Sequence, residues 1–151
     1  MTDEHQKAAQ ARELLHSFRQ VDRSMRHLMR IQADHLGLTP VQLLVVRILS
    51  ESPDLSLNEL SERVQLGCST VSGVVKRLVE CGVVERDRLN EDQRTVAIRL
   101  TGKGKQLQER AFGNGSLLSK ALLKFLEFPD EDIQTLLKLH RALIQILQVD
   151  D

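Results

Sequence analysis

The sequence contains no tryptophan and no tyrosine, and its aromatic content is four phenylalanines. A ligand pocket would therefore have to be built from Phe, Met, Leu and His side chains, a composition that does not indicate a ligand class. The chain also has no run of about 20 apolar residues, the length that crosses a bilayer. Its first residues lack the basic start and apolar run of a signal peptide. We therefore expect a cytoplasmic protein that makes no membrane contact.

Cysteines and catalytic patterns are also scarce. Cys68 and Cys81 are the two cysteines, and they lie on one predicted helix about 20 Å apart at ~1.5 Å per residue, beyond disulfide reach. The sequence has no nucleophile elbow or paired metal-ligand motif, and residues 102–105 lack the flanking residues of a phosphate-binding loop. The five histidines show no ligand spacing. We expect no enzymatic activity, no cofactor and no metal.

Net charge is zero, but the charges are distributed unevenly along the chain. Residues 63–105 contain nine Lys or Arg and five Asp or Glu, which leaves a local excess of four positive charges. The segments before and after this block are both slightly acidic. A basic block in an otherwise neutral chain favours contact with a polyanion through one part of the molecule.

The spacing of apolar residues predicts six helices and one β-hairpin. Thr39-Pro40-x-Gln42 and Ser56-x-x-Glu59 are capping boxes that start the second and third helices. Gly113 and Gly115 are expected to kink or break the fifth helix. The expected ranges are 5–34, 39–50, 56–64 and 68–81 for the first four helices, 83–89 and 95–100 for the strands, 101–126 for the fifth helix, and 129 onwards for the sixth.

This order of elements predicts a mainly α fold with a small β-hairpin wing. A winged helix-turn-helix head at residues 38–105 would lie between long helices at 5–36 and 106–151, within a single domain of residues 1–151. The long helices carry apolar stripes that an isolated head could not bury. We therefore expect them to form a homodimer.

The head provides a candidate surface for double-stranded DNA. Its fourth helix could enter a major groove while the hairpin reaches the flanking backbone. Small and hydroxyl side chains at the start of that helix allow close approach, and basic residues add phosphate contacts. The predicted contact residues are Ser56, Cys68, Ser69, Thr70, Ser72, Gly73, Lys76, Arg77, Arg86, Arg88 and Arg94. The alternative, favoured by zero net charge, is a winged-helix module that binds protein and not DNA.

These features resemble the MarR family of bacterial transcription regulators over nearly the whole chain. The most specific match is Asp92-x-Arg94 followed by Leu100-Thr101-x-x-Gly104, which is similar to the family's wing signature and the start of its fifth helix. Leu38-Thr39-Pro40-x-Gln42, Leu57-x-Glu59-Leu60-Ser61 and Ser69-Thr70-Val71-Ser72 support it. The resemblance implies a dimeric repressor that occupies a pseudo-palindromic operator and is released by a small molecule or a stress signal.

Two positions depart from the family pattern. Members often carry Arg where this chain has Gly73 and an acidic residue where it has Lys76, so base recognition is expected to differ. The family's peroxide sensors have their reactive cysteine in the first helix, where this chain has none. Cys68 remains a candidate for oxidation at the start of the fourth helix, against a purely structural role.

The resemblance also implies an effector pocket between the dimer helices and the head. The candidate lining residues are His16, Phe18, Met25, His27 and Arg47. The alternative is that these side chains belong to the ordinary core and to the dimer interface.

Overall fold

The computed structural model describes residues 2–88 and 96–148. The described residues form seven helices and one antiparallel hairpin, so the predicted fold class is confirmed. The elements are α1 (Thr2–His35), α2 (Pro40–Glu51), α3 (Leu57–Val64), α4 (Cys68–Glu80), β1 (Val84–Arg88), β2 (Val96–Leu100), α5 (Gly102–Phe112), α6 (Leu117–Phe125) and α7 (Asp130–Leu147). None of the described helices is long and apolar enough to span a membrane.

The predicted capping boxes are both present. The Thr39 hydroxyl accepts a hydrogen bond from the Gln42 N–H at 3.2 Å, and the Thr39 N–H donates to the Gln42 side chain at 3.0 Å. Ser56 and Glu59 make the same pair of bonds at 3.2 and 2.8 Å. Each box satisfies N–H groups that a helix start leaves unpaired, so α2 and α3 begin where the sequence predicts.

The head has one hydrophobic core. Helices α2, α3 and α4 enclose it together with the hairpin, whose register pairs Val84 with Leu100 and Arg88 with Val96. Leu55 adds a short bridge to the hairpin, because its carbonyl oxygen accepts the Ile98 N–H at 2.8 Å. The two strands of the wing are therefore bonded to each other, and β2 is also bonded to the segment that precedes α3.

The predicted fifth helix breaks into two. Helix α5 ends at Phe112, and α6 starts after Ser116, whose hydroxyl accepts the Ser119 N–H at 3.2 Å. Gly113 is extended, and a Cβ at this position would overlap the Glu109 carbonyl oxygen. The chain breaks here and does not merely kink, so the described residues form seven helices where the expected order had six.

A buried polar residue joins α1 to this break. Gln32 is 8% exposed, and its side-chain amide donates to the Arg110 carbonyl oxygen at 3.4 Å. Its side-chain oxygen accepts the Leu117 N–H at 3.1 Å. A second small core, which contains Ala33, Leu43 and Ala111, surrounds this joint. One side chain thus holds the end of α5 and the start of α6 against α1.

The remaining helical surface is apolar and open. Helix α6 has no buried residue, and Ile133 is the one buried residue of α7. Phe18 of α1 meets His140 of α7 edge to face, with ring centroids 6.4 Å apart. We call α1, α6 and α7 the helical arms. Large exposed apolar side chains of the arms and of the α6–α7 connection are Leu14, Leu15, Val21, Met25, Leu122, Leu123, Phe125, Leu126, Phe128, Leu136, Leu137, Leu139, Ile144, Ile146 and Leu147.

Candidate nucleic-acid interface and ligand groove

Helix α4 has one buried face and one open face. Val71, Val75 and Leu78 are fully buried in the head core. The opposite face is open to solvent and includes Ser69, Thr70, Gly73, Lys76 and Arg77. The helix has 13 residues and is therefore about 20 Å long at ~1.5 Å per residue. Its open face has the length and width to lie in a major groove, which is ≈ 12 Å wide.

Gly73 leaves the centre of that face without a side chain. A Cβ added to Gly73 would meet no heavy atom within 4 Å, so packing inside the chain does not require glycine here. Glycine inside a helix is destabilising compared with alanine. Close approach of another molecule's surface to the helix backbone would account for glycine at this position.

Two of the predicted contact residues, Ser56 and Ser72, are half-buried, and a third, Cys68, is bonded to α3. The Ser56 hydroxyl serves as the α3 cap. Cys68 is exposed, but its thiol donates to the Asn58 side-chain oxygen at 3.4 Å. The Cys68 thiol therefore lies against α3, beside a cavity of about 410 Å³.

The wing carries alternating charges. Arg86 and Arg88 of β1 are exposed and alternate with Glu85 and Asp87. Successive strand residues point to opposite faces, so the two arginines share a face. The remaining predicted wing residue, Arg94, lies with Asp92 outside the described residues, so its role remains a prediction.

Arg99 of β2 is a functional candidate that the sequence analysis missed. Its guanidinium lies 2.8 Å from an Asp54 carboxylate oxygen and 3.3 Å from an Asp87 carboxylate oxygen. Asp54 belongs to the α2–α3 connection and has a left-handed backbone, with φ at 62°. Arg99 thus connects the wing to the α2–α3 connection through charge, next to the Leu55–Ile98 bridge.

The start of α5 is bonded to the end of α4. The Thr101 hydroxyl donates to the Gly82 carbonyl oxygen at 2.5 Å, and the Lys103 ammonium donates to the Cys81 carbonyl oxygen at 2.7 Å. A Cβ at Gly104 would overlap the Val83 carbonyl oxygen. The motif Leu100-Thr101-x-x-Gly104 therefore has a local physical basis, because only glycine allows the backbone of α5 to approach Val83 so closely.

A groove of about 860 Å³ lies between α1 and α2. Five arginines and three apolar residues line it. We call it the arginine groove, and its lining residues are Arg19, Arg23, Arg26, Met29, Arg30, Pro40, Leu44 and Arg47. The α1 arginines recur at steps of four, three and four residues, which places them on one helical face. That spacing was the signal that could have predicted this site.

Of the five predicted pocket residues, one lines the arginine groove and four do not. Arg47 lines the arginine groove, but His16, Phe18, Met25 and His27 do not. Phe18 instead faces His140 of α7, and the His27 ring nitrogen lies 3.3 Å from the Arg30 guanidinium. His16 and Met25 are exposed on the outer surface of α1. Four of the five residues therefore lie outside this groove, and the pocket predicted between the dimer helices and the head stays a prediction.

Within residues 2–88 and 96–148, no three His, Cys, Asp or Glu side chains group as metal ligands would.

Comparison with known proteins identifies relatives of the chain. A family model described as the MarR family matches residues 38–96. The organic hydroperoxide resistance transcriptional regulator of Bacillus subtilis (strain 168) is 35% identical over 78 residues, which are 52% of this chain and 53% of that protein. The homoprotocatechuate degradative operon repressor of Escherichia coli is 36% identical over 75 residues, which are 50% of this chain and 51% of that protein.

A solved structure matches a larger share of the chain. A MarR family protein from Bacillus stearothermophilus is 30% identical, with a TM-score of 0.81, and the match covers 91% of this chain and 94% of that one. The chain spans about half the length of the curated relatives it matches. The match to the solved structure covers 91% of this chain, so it extends beyond the head to the helical arms.

Proposed function

The chain belongs to the MarR family, and from this premise we propose that it is a homodimeric DNA-binding transcription regulator of the cytoplasm. We propose further that it acts as a repressor, which occupies a pseudo-palindromic operator and is released by a small molecule or a stress signal. The single observation that carries the proposal is the open face of α4 beside the wing. It presents hydroxyls at its start and the cations Lys76 and Arg77 further along.

The charges of the head support contact with DNA phosphates. Helix α4 has one acidic residue, Glu80, which is its last. On the wing, the negative charge of Asp87 is paired with Arg99. Arg86 and Arg88 share one face of the strand, whereas Asp87 points to the opposite face. Cationic side chains at the flanks of a recognition helix supply phosphate contacts that fix the protein's register on the duplex.

The helical arms supply the dimer interface in this proposal. Of the large exposed apolar side chains described, all but Leu66 and Val79 lie on the arms or on the α6–α7 connection. An exposed apolar surface of this extent in one region marks an interaction site. A two-fold dimer through the arms would place two α4 helices in major grooves about 10 bp apart, or a multiple of that spacing.

The effector in this proposal binds the arginine groove. The groove lies between α1, which is an arm, and α2, which belongs to the head. A ligand there contacts both parts, so it can favour one relative orientation of arm and head over another. This is the property that release from an operator requires. Of the residues predicted from the sequence, Arg47 is the one that contributes.

Selection of bound genomic fragments tests the DNA proposal and identifies the operator. The selected fragment should then bind with an affinity that falls steeply between two salt concentrations, because neutralised phosphates release counterions. Lys76→Ala and Arg77→Ala should each weaken binding and reduce the salt slope by about one ion. Arg12→Ala, on an exposed part of α1, is the matched control. Absence of salt-sensitive binding would contradict the proposal and favour a protein-binding module.

A further inference from the structure

The arginine groove concentrates positive charge far beyond the average of the chain. The whole sequence has 21 basic and 21 acidic residues, yet the eight groove residues include five arginines and no acid. Among the described residues, the one carboxylate paired with a groove arginine is Asp22, which contacts Arg26. Like charges at these helical spacings destabilise a helix. A bound anion would relieve that repulsion.

The geometry of the groove indicates what kind of anion would fit. Arg19 and Arg30 are separated by 11 residues of α1, so the row of guanidinium groups extends about 16 Å at ~1.5 Å per residue. A single carboxylate on an aromatic ring would contact one or two of these groups. A ligand that satisfies the row must carry several charges along its length.

The density of cations favours phosphate over carboxylate for such a ligand. Guanidinium groups bind both through paired N–H donors, but a phosphate group carries about −1.5 to −2 charges and three acceptor oxygens, so it compensates more of the row than a carboxylate does. Met29, Pro40 and Leu44 line the groove together with the arginines. These side chains can contact an apolar part of the ligand, which inorganic phosphate lacks.

We propose that the arginine groove binds a small molecule that carries at least two phosphate groups and an apolar portion. The inference rests on the proposed effector site and defines its ligand class. Arg23 and Arg47 lie on different helices of the groove, so a ligand held by both connects arm and head directly.

Calorimetric titration of the dimer tests this proposal with a series of ligands that share the same apolar part. Adenosine, its 5′-monophosphate and its 5′-triphosphate have the same base and differ in phosphate number, so affinity should rise at least tenfold from monophosphate to triphosphate. Benzoate tests a single aromatic carboxylate, and inorganic tripolyphosphate tests charge without an apolar part. Triphosphate binding at least tenfold tighter than benzoate supports the proposal. Equal or tighter binding of benzoate overturns the phosphate class.

Variants locate the binding site. The double variant Arg23→Gln/Arg47→Gln should lose at least tenfold in triphosphate affinity, and Arg30→Gln should lose part of it. Arg12→Gln is on the same helix but outside the groove, and it should bind as the wild type does. Triphosphate binding that is unchanged in the double variant, or absent in the wild type, overturns the proposal.

Operator affinity, measured without nucleotide, shows whether the groove arginines bind the phosphates of a small molecule or those of the DNA backbone. Groove variants that bind the operator as tightly as the wild type support a small-molecule site. Groove variants that lose as much operator affinity as Lys76→Ala would assign the arginines to the DNA backbone and overturn it. Failure of DNA binding by the wild type is a separate result, because it contradicts the proposed regulator without affecting the titration.

Discussion

The guanidinium of Arg99 lies 2.8 Å from a carboxylate oxygen of Asp54, and this contact joins the wing to the turn that precedes α3. The same guanidinium lies 3.3 Å from an Asp87 carboxylate oxygen on the neighbouring strand. The Arg99 side chain is 30% exposed, so both pairs are partly shielded from solvent. The wing is consequently held to the α2–α3 connection by two neighbouring residues of β2, Arg99 through charge and Ile98 through the Leu55 bridge.

Arg99→Gln should therefore affect DNA affinity more than stability. Partly exposed ion pairs contribute about 0.2–1 kcal/mol each, so urea denaturation should show a loss of about 1 kcal/mol. Operator affinity, measured by fluorescence anisotropy, should fall at least fivefold because the wing is no longer held in place. Lys105→Gln removes a neighbouring positive charge in the same cavity and is the control. Equal affinities for the two variants would contradict a positioning role for Arg99.

Gly104→Ala should destabilise the head because the new Cβ would overlap the Val83 carbonyl oxygen. Forcing an extra carbon into a packed site costs typically 1–3 kcal/mol, which urea denaturation measures. Gly102→Ala is the matched control, since a Cβ there meets nothing within 4 Å. It should be neutral or slightly stabilising, because alanine is the better helix former. Similar losses in both variants would show that the close approach is not the cause.

Gln32→Leu should loosen the joint between α1 and the α5–α6 break. The substitution leaves the Arg110 carbonyl oxygen and the Leu117 N–H without their side-chain partner. Each unsatisfied buried group costs about 1–3 kcal/mol, so the free energy of unfolding should fall by at least about 1 kcal/mol. Gln10→Leu, at an exposed position of the same helix, provides the comparison. A Gln32→Leu protein as stable as Gln10→Leu would refute the structural role of the joint.

Glu59 should make stability depend on pH in the acidic range. The Ser56 backbone N–H bond, then the Ser56 side chain and the charge of Arg63, lower the pKa of Glu59 below its ordinary 4.5. Its contribution is fully present above the unfolded-state pKa and is lost as pH falls through the lower folded-state pKa. Glu59→Gln can still accept the Ser56 N–H bond but carries no charge. Its Tm should therefore decline less than that of the wild type below pH 4.5.

The control for this titration is Glu62→Gln, which removes a carboxylate from the same helix at a position outside the capping box. Thermal melts from pH 3 to 7 compare the three proteins. A Glu59→Gln profile that is parallel to the wild-type profile would remove Glu59 as the source of the dependence.

The features predicted correctly from the sequence depend on short separations along the chain. The capping boxes at Thr39 and Ser56 need only residues three positions apart. The buried and open faces of α4 follow from helical periodicity. The break at Gly113 was expected as a kink or a break, and contact with Glu109 within the same turn decides between them.

The features that were missed depend on how separate elements pack. The arginine groove exists because α1 and α2 bring Arg47 beside Arg23, and no local pattern specifies that crossing. The pairing of Arg99 with Asp54 likewise requires the wing to fold back on the α2–α3 connection. For the same reason residue type alone could not identify the lining of the groove: His16 and Phe18 do not line it, and the pocket predicted from them stays a prediction.

Because α6 and α7 have almost no buried residues, the stability of the arms should depend on protein concentration. In the proposed dimer, the arms gain most of their apolar packing from a second copy, so dilution removes that part of it. The measured melting temperature then depends on protein concentration, as it does whenever association stabilises the native state. The head, with its own core, does not share that dependence. The abundance of the regulator would thus set how much of it has ordered arms, independently of any ligand.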